Sequence, residues 1–229
     1  MDRICTIAFD ADDTLWVNEP FFREAEETFC GLLEDYLPHH SVHRELFATE
    51  IANLPIYGYG IKAFTLSMIE TIVRLTDGRA PAALIERALD IGKQMLQKPI
   101  ELLDGVEDTL ARLSPKYRLV LATKGDLLDQ ERKLAKSGLG PHFHHIEVMS
   151  DKQPANYCRL IGHLDCRPEE FMMVGNSMKS DIIPVLDLGG YAVHVPYHVT
   201  WDHEQATYEE ENPCFLEAKS ITEVLTLLP

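Results

Sequence analysis

The sequence predicts an α/β protein in which a parallel β-sheet is wrapped by helices and interrupted by a separate all-helical unit. Two observations predict this. Short apolar runs occur at Ile4 to Phe9, Leu119 to Ala122, Ile146 to Met149, Phe171 to Val174 and Tyr191 to Val195. Most are bounded by Gly, Pro, Asp or Ser and separated by helical patterns, as parallel strands are. Between Val17 and about Ile100 no such run appears, and the apolar spacing is helical throughout. The 229 residues, 45% of them hydrophobic, suffice for one sizeable core plus an appended unit. The expected division is a core from residues 1–16 and 101–229 and a helical unit from 17–100.

Each element has a local signal. The first run ends in the acidic stretch FDADDTLW, residues 9–16. In the helical unit Phe22, Ala25, Phe29, Leu32, Leu33 and Tyr36 recur at three- and four-residue steps. Ile61, Phe64, Met68, Ile72 and Leu75 do the same, followed by Leu84, Ala88, Ile91 and Met95. Pro38, Pro55, Gly78 and Pro81 punctuate these helices, Pro81 at a first turn, where proline is tolerated. Beyond Asp126, Leu127, Leu128, Leu134 and Leu139 read as a surface helix closed by Gly138 and Gly140. Tyr197 to Pro213, rich in His and Glu, reads as an acidic surface loop before a last helix at Ile221 to Leu228.

Asp and Glu number 37 against 21 Lys and Arg, a formal net charge of -16, so the surface repels nucleic-acid polymers and anionic membranes. No apolar run approaches the roughly 18 residues of a membrane span, and the first residues lead into a strand rather than a signal peptide. A cytoplasmic protein is expected, as monomer or homodimer. Cys5, Cys30, Cys158, Cys166 and Cys214 are scattered without a C-x-x-C pair. That suits reduced thiols and opposes a disulfide framework or a thiolate zinc site.

Ligands of open parallel sheets bind at the carboxyl ends of strands, and four such ends carry reactive groups. They are Asp10, Asp12, Asp13 and Thr14; Thr123-Lys124-Gly125; Ser150-Asp151-Lys152; and Gly175-Asn176-Ser177 with Asp181 beyond. Adjacent buried carboxylates left unpaired cost on the order of several kcal/mol each, and a divalent cation removes that cost. Oxygen-only ligands suit Mg²⁺, which asks for one or two carboxylates plus a phosphate. Amides and hydroxyl at Thr123 and Lys124 would accept an anion, and Lys152 would add positive charge. Each residue also has a bland role. Asp13 is best read as a helix or turn cap, Thr123 alone as the cap of the helix near Asp126, and Lys152 alone as a solvated lysine. His142, His144, His145, His194, His198 and His203 have no established zinc-ligand spacing and are best read as polar decoration. Trp16 either lines a pocket mouth or packs between the units.

In order, these strand ends resemble the motifs of the haloacid dehalogenase superfamily, phosphatase type. D-x-D-x-T is Asp10-Ala11-Asp12-Asp13-Thr14, the Thr after an apolar strand is Thr123, the lone Lys is Lys152, and G-D with a later Asp appears as Gly175-Asn176 with Asp181. The resemblance implies a Rossmann-like core with a helical cap inserted between the first and second motifs. It implies Mg²⁺-dependent hydrolysis of a small phosphorylated metabolite. Asp10 would be the nucleophile that becomes an aspartyl-phosphate, and Asp12 the general acid–base, with a raised pKa. Thr123, Lys124 and Lys152 would hold the phosphoryl group; Asp10, the Asp12 carbonyl, Asn176 and Asp181 would serve the metal. Apart from the resemblance, Tyr57-Gly58-Tyr59-Gly60 reads equally as a mobile break whose tyrosines lie over the substrate and as a plain interhelix turn with packed tyrosines. The one departure is Asn176, where the family commonly has Asp. A phosphomutase, a dehalogenase and a non-catalytic binding module on the same fold are the alternatives. The dehalogenase is disfavoured, because similar dehalogenases lack the second Asp of the first motif and need no metal.

Overall fold

The computed structural model describes residues 3–208 and 211–228. In chain order the elements are β1 (Thr6–Phe9), α1 (Glu19–Leu32), α2 (His39–Tyr57), α3 (Ile61–Leu75), α4 (Ala82–Gln97), α5 (Val106–Leu113), β2 (Arg118–Lys124), α6 (Leu127–Ser137), β3 (His145–Met149), α7 (Pro154–His163), β4 (Phe171–Gly175), α8 (Ile183–Leu186), β5 (Tyr191–His194), β6 (Phe215–Glu217) and α9 (Val224–Leu227). The chain forms two compact units, one of Met1–Glu19, Ile100–Lys124 and Gln130–Pro229, the other of Pro20–Pro99 with Gly125–Asp129.

The first unit is a six-stranded sheet in the order β3-β2-β1-β4-β5-β6, with every neighbouring pair parallel. Alternate side chains serve opposite faces. Ile7, Phe9, Leu119, Leu121, Met172 and Val174 enter one cluster with Val106 and Leu110 of α5 and Val224 of α9. Ala8, Val120, Ala122, Phe171 and Met173 enter another with Tyr157, Leu160 and Ile161 of α7 and Val185 of α8. Helices cover both faces, which is why the central strands read as unbroken apolar runs.

The second unit has a core of its own, in which Phe29, Leu33, Leu46, Phe64, Met68, Ile72, Ala88, Ile91 and Met95 are buried together. Its α2 buries Val42 and Leu46 but also Thr49 and Asn53. Asn53 donates to Ser67 Oγ at 3.1 Å and Thr71 donates to Thr49 Oγ1 at 3.1 Å, so the polar positions are satisfied within the α2–α3 contact. Pro55, expected to punctuate, lies inside α2 instead. It removes one backbone donor close to the end, and Gly58 N–H still bonds Leu54 O at 2.9 Å.

The tract from Tyr197 to Pro213 also departs from its sequence reading. A short 3₁₀ turn, Asp202–Glu204, carries Glu204 inward, leaving its side chain only 11% exposed. Residues 209 and 210 of that tract lie outside the described residues. No helix among the described residues is long and apolar enough to cross a membrane.

Candidate active site

From β1 the chain order runs outward in opposite directions through β2 and β4, so the carboxyl ends of these three strands border the crevice where parallel sheets bind ligands. Asp10 is fixed there by its N–H, which donates to Val174 O at 2.9 Å. The turn after it is tight. Ala11 O accepts from Leu15 N–H at 2.8 Å, and Asp13 takes φ 61°, a left-handed conformation that Asp tolerates better than most residues. The Asp13 carboxylate accepts from Asn18 N–H at 2.9 Å and Glu19 N–H at 3.0 Å, and so caps the start of α1.

Lys152 is the hub of the site. It is 1% exposed, far from a solvated surface lysine, and its Nζ lies 2.5 Å from Asp10 Oδ1 and 2.6 Å from Asp181 Oδ1. Burial works against its charge, but Asp10 and Asp181 hold its pKa well above the ordinary value. Burial, aided by Asp181, pushes Asp10 up to about 7 despite Lys152. Asp181 packs close to the sheet and also accepts from Ser177 N–H at 2.9 Å. A Cβ on Gly175 would stand 2.3 Å from Asp181 Oδ2, so this position has to be glycine.

The donor set around Asp10 fits a hard cation. The Thr14 hydroxyl lies 3.1 Å from Asp10 Oδ2 and 3.3 Å from Asn176 Oδ1, and accepts from Asn176 N–H at 3.1 Å. One hydroxyl proton cannot serve both oxygens, which leaves oxygen acceptance unspent beside a cluster of two carboxylates and one lysine. His194 steadies Asn176 through a contact of its Nε2 with Asn176 O at 3.0 Å.

Asp12 departs from expectation. Its carboxylate accepts from Trp16 Nε1 at 2.6 Å, Gln130 Nε2 at 2.8 Å and Lys133 Nζ at 2.8 Å. Burial would raise its pKa, but Lys133 and these hydrogen bonds outweigh burial and lower it. The raised pKa expected from neighbouring carboxylates is therefore absent, because a lysine from α6 reaches Asp12. Trp16 is fully buried in the core cluster, and its chain pairs with Leu102.

Thr123 is 1% exposed, and Asp126 rather than Thr123 caps α6, accepting from Asp129 N–H at 3.1 Å. Lys124, expected to meet the substrate, is instead engaged by Glu204: its Nζ lies 2.5 Å from Glu204 Oε1 and 2.9 Å from Ser180 Oγ. Gln130, Lys133, Ser180 and Glu204 were not singled out by the sequence, and Ser177 only as part of the strand end Gly175-Asn176-Ser177. Only the proximity of Ser180 to the fourth motif could have signalled any of the four. Tyr57 and Tyr59 flank Gly58 between α2 and α3, in the helical unit, and Tyr57 is exposed. The histidines make separate contacts, His144 with Leu119 N–H, His145 with Glu147 and His203 with Lys179.

The chain matches the haloacid dehalogenase-like hydrolases over residues 4–188. No curated protein sequence matches it significantly. Among solved structures it is similar to a haloacid dehalogenase-like family hydrolase from Xanthomonas campestris, with 40% identity, TM-score 0.88, and 98% of this chain and 90% of that one covered. A predicted phosphoglycolate phosphatase from Haemophilus somnus shares 17% identity at TM-score 0.65, covering 98% of each chain. A 2-haloacid dehalogenase from Pseudomonas syringae shares 18% at TM-score 0.66, covering 98% of this chain and 97% of that one. The last two speak for the fold alone.

Proposed function

Since the chain belongs to the haloacid dehalogenase-like hydrolase family, we propose that it hydrolyses phosphate monoesters of small metabolites with the help of Mg²⁺. The observation that favours a phosphatase over a dehalogenase is Asp12, a second carboxylate of the first motif, held beside the nucleophile by Trp16, Gln130 and Lys133. The oxygens that would hold the ion are those of Asp10, the Asp12 carbonyl and Asn176 Oδ1, with Asp181 behind them. Mg²⁺, when bound, would supply positive charge that offsets the negative charge of the phosphoryl group.

The remaining chemistry belongs to side chains. Asp10 attacks phosphorus as a carboxylate, forming an O–P bond as the ester P–O bond breaks, and Lys152 orients it and opposes the burial that favours its protonated form. Thr123 and Lys152 hold phosphoryl oxygens. Asp12 hands a proton to the leaving oxygen and later takes one from the water that cleaves the aspartyl-phosphate. Lys133 lowers the pKa of Asp12, so the contact with Lys133 works against the protonated form that this role requires. The helical unit would act as the cap, with Tyr57 and Tyr59 over the substrate.

An aryl phosphate assay tests the proposal. Phosphate release that depends on Mg²⁺ and is abolished in Asp10→Asn is expected. Halide release from a 2-haloacid without metal, and no phosphate release from the ester, would replace it with the dehalogenase.

A further inference from the structure

The connection from β5 to β6 returns a carboxylate to the carboxyl edge of the sheet. Glu204 Oε1 lies 2.5 Å from Lys124 Nζ, and its Oε2 accepts from Ser177 Oγ at 2.6 Å and Ser180 Oγ at 2.5 Å. One ammonium and two hydroxyls, drawn from the ends of β2 and β4, thus converge on a single anion. Burial opposes the Glu204 charge, yet Lys124 and the two serines bring its pKa down to about 2, so it stays ionised. The same turn serves the nucleophile. Ser177 N–H and Ser180 flank Asp181, whose other oxygen holds Lys152.

We propose that Lys124, Ser177 and Ser180 form an anion seat that Glu204 fills in cis, and that this fixed carboxylate makes the site select phosphate monoesters with no second anion close to the phosphorus. The inference rests on the phosphatase reading above. With Lys124 already neutralised, a substrate carboxylate or second phosphate arriving at this edge meets a like charge in a partly desolvated site, without the lysine that would otherwise receive it. Specificity here comes from a repulsive element that belongs to the protein itself.

Calorimetric titration with Mg²⁺ present tests this using ethylphosphonate and phosphonoacetate, a non-hydrolysable pair that differs by a carboxylate in place of a methyl group. The parent protein should bind ethylphosphonate about tenfold tighter or more, as expected of one like-charge contact. Glu204→Gln, which keeps size and hydrogen-bonding oxygen, should reverse the preference, and adding Lys124→Met should cancel that reversal. Equal affinity of the parent for the two ligands overturns the proposal without any variant, as does an unchanged preference in Glu204→Gln. If neither phosphonate binds the parent, the phosphatase reading falls as well, and the two failures are thereby told apart.

Discussion

Lys133, 121 positions away in sequence, lies 2.8 Å from Asp12 and is the foremost of the groups that lower its pKa against burial. A carboxylate beside a cation is commonly held about 1–3 pKa units below its free value, so removing the cation lets it rise. Lys133→Met should therefore move the basic limb of the kcat profile for an alkyl phosphate upward, because Asp12 then keeps its proton to higher pH. A good aryl leaving group needs less help and should show little change. An unmoved limb for the alkyl ester would remove Asp12 from the acid's role.

Between elements, the closest constraint lies where α4 meets α3. A Cβ on Gly92 would stand 2.1 Å from Thr65 Oγ1, and that hydroxyl is itself committed to Ile61 O at 2.7 Å. Alanine gains about 1 kcal/mol in intrinsic helix propensity over glycine. Overpacking a well-filled contact costs about 1–3 kcal/mol, and here the displaced atom also loses a hydrogen bond. Gly92→Ala should thus destabilise the helical unit in urea unfolding, against the usual sign of glycine replacement in a helix. A stabilised variant would show that α3 and α4 can separate freely.

For the molecule as a whole, a chain of net charge -16 gathers three lysines at one sheet edge and pairs each with acid: Lys124 with Glu204, Lys133 with Asp12, and Lys152 with Asp10 and Asp181. Stability should record one of these pairs as a function of pH. Glu204 sits at about 2 in the fold against an ordinary 4.5. A depressed carboxyl contributes stability above its unfolded value and loses it as pH falls through the folded one. The gap in unfolding free energy between parent and Glu204→Gln should hence be widest above pH of about 5, on the order of 3 kcal/mol at most, and close toward pH of about 2. Urea titration followed by tryptophan fluorescence measures it. A gap that stays constant across that range would mean that Glu204 acts through shape rather than charge.

Five strands, most of the helical unit and the residues at four strand ends were legible in the sequence, because burial on both faces makes strands continuous apolar runs and burial on one face gives helices their period. Asp10, Thr123, Lys152 and Asp181 could be singled out for the same reason: strand ends are locally marked, and parallel connectivity brings them to one edge. Shorter or polar elements were not legible. β6 has three residues at a sheet edge, and the buried side of α2 includes Thr49 and Asn53. Nor could any spacing announce that Glu204 would reach Lys124, that Lys133 would reach Asp12, or that Cys5, Cys166 and Glu170 would bring ligating atoms within 4.8 Å of one another. Periodicity reports which side of an element faces the core, a local property. Which side chain meets which depends on where a loop returns and how closely two elements pack, and only the folded chain decides that.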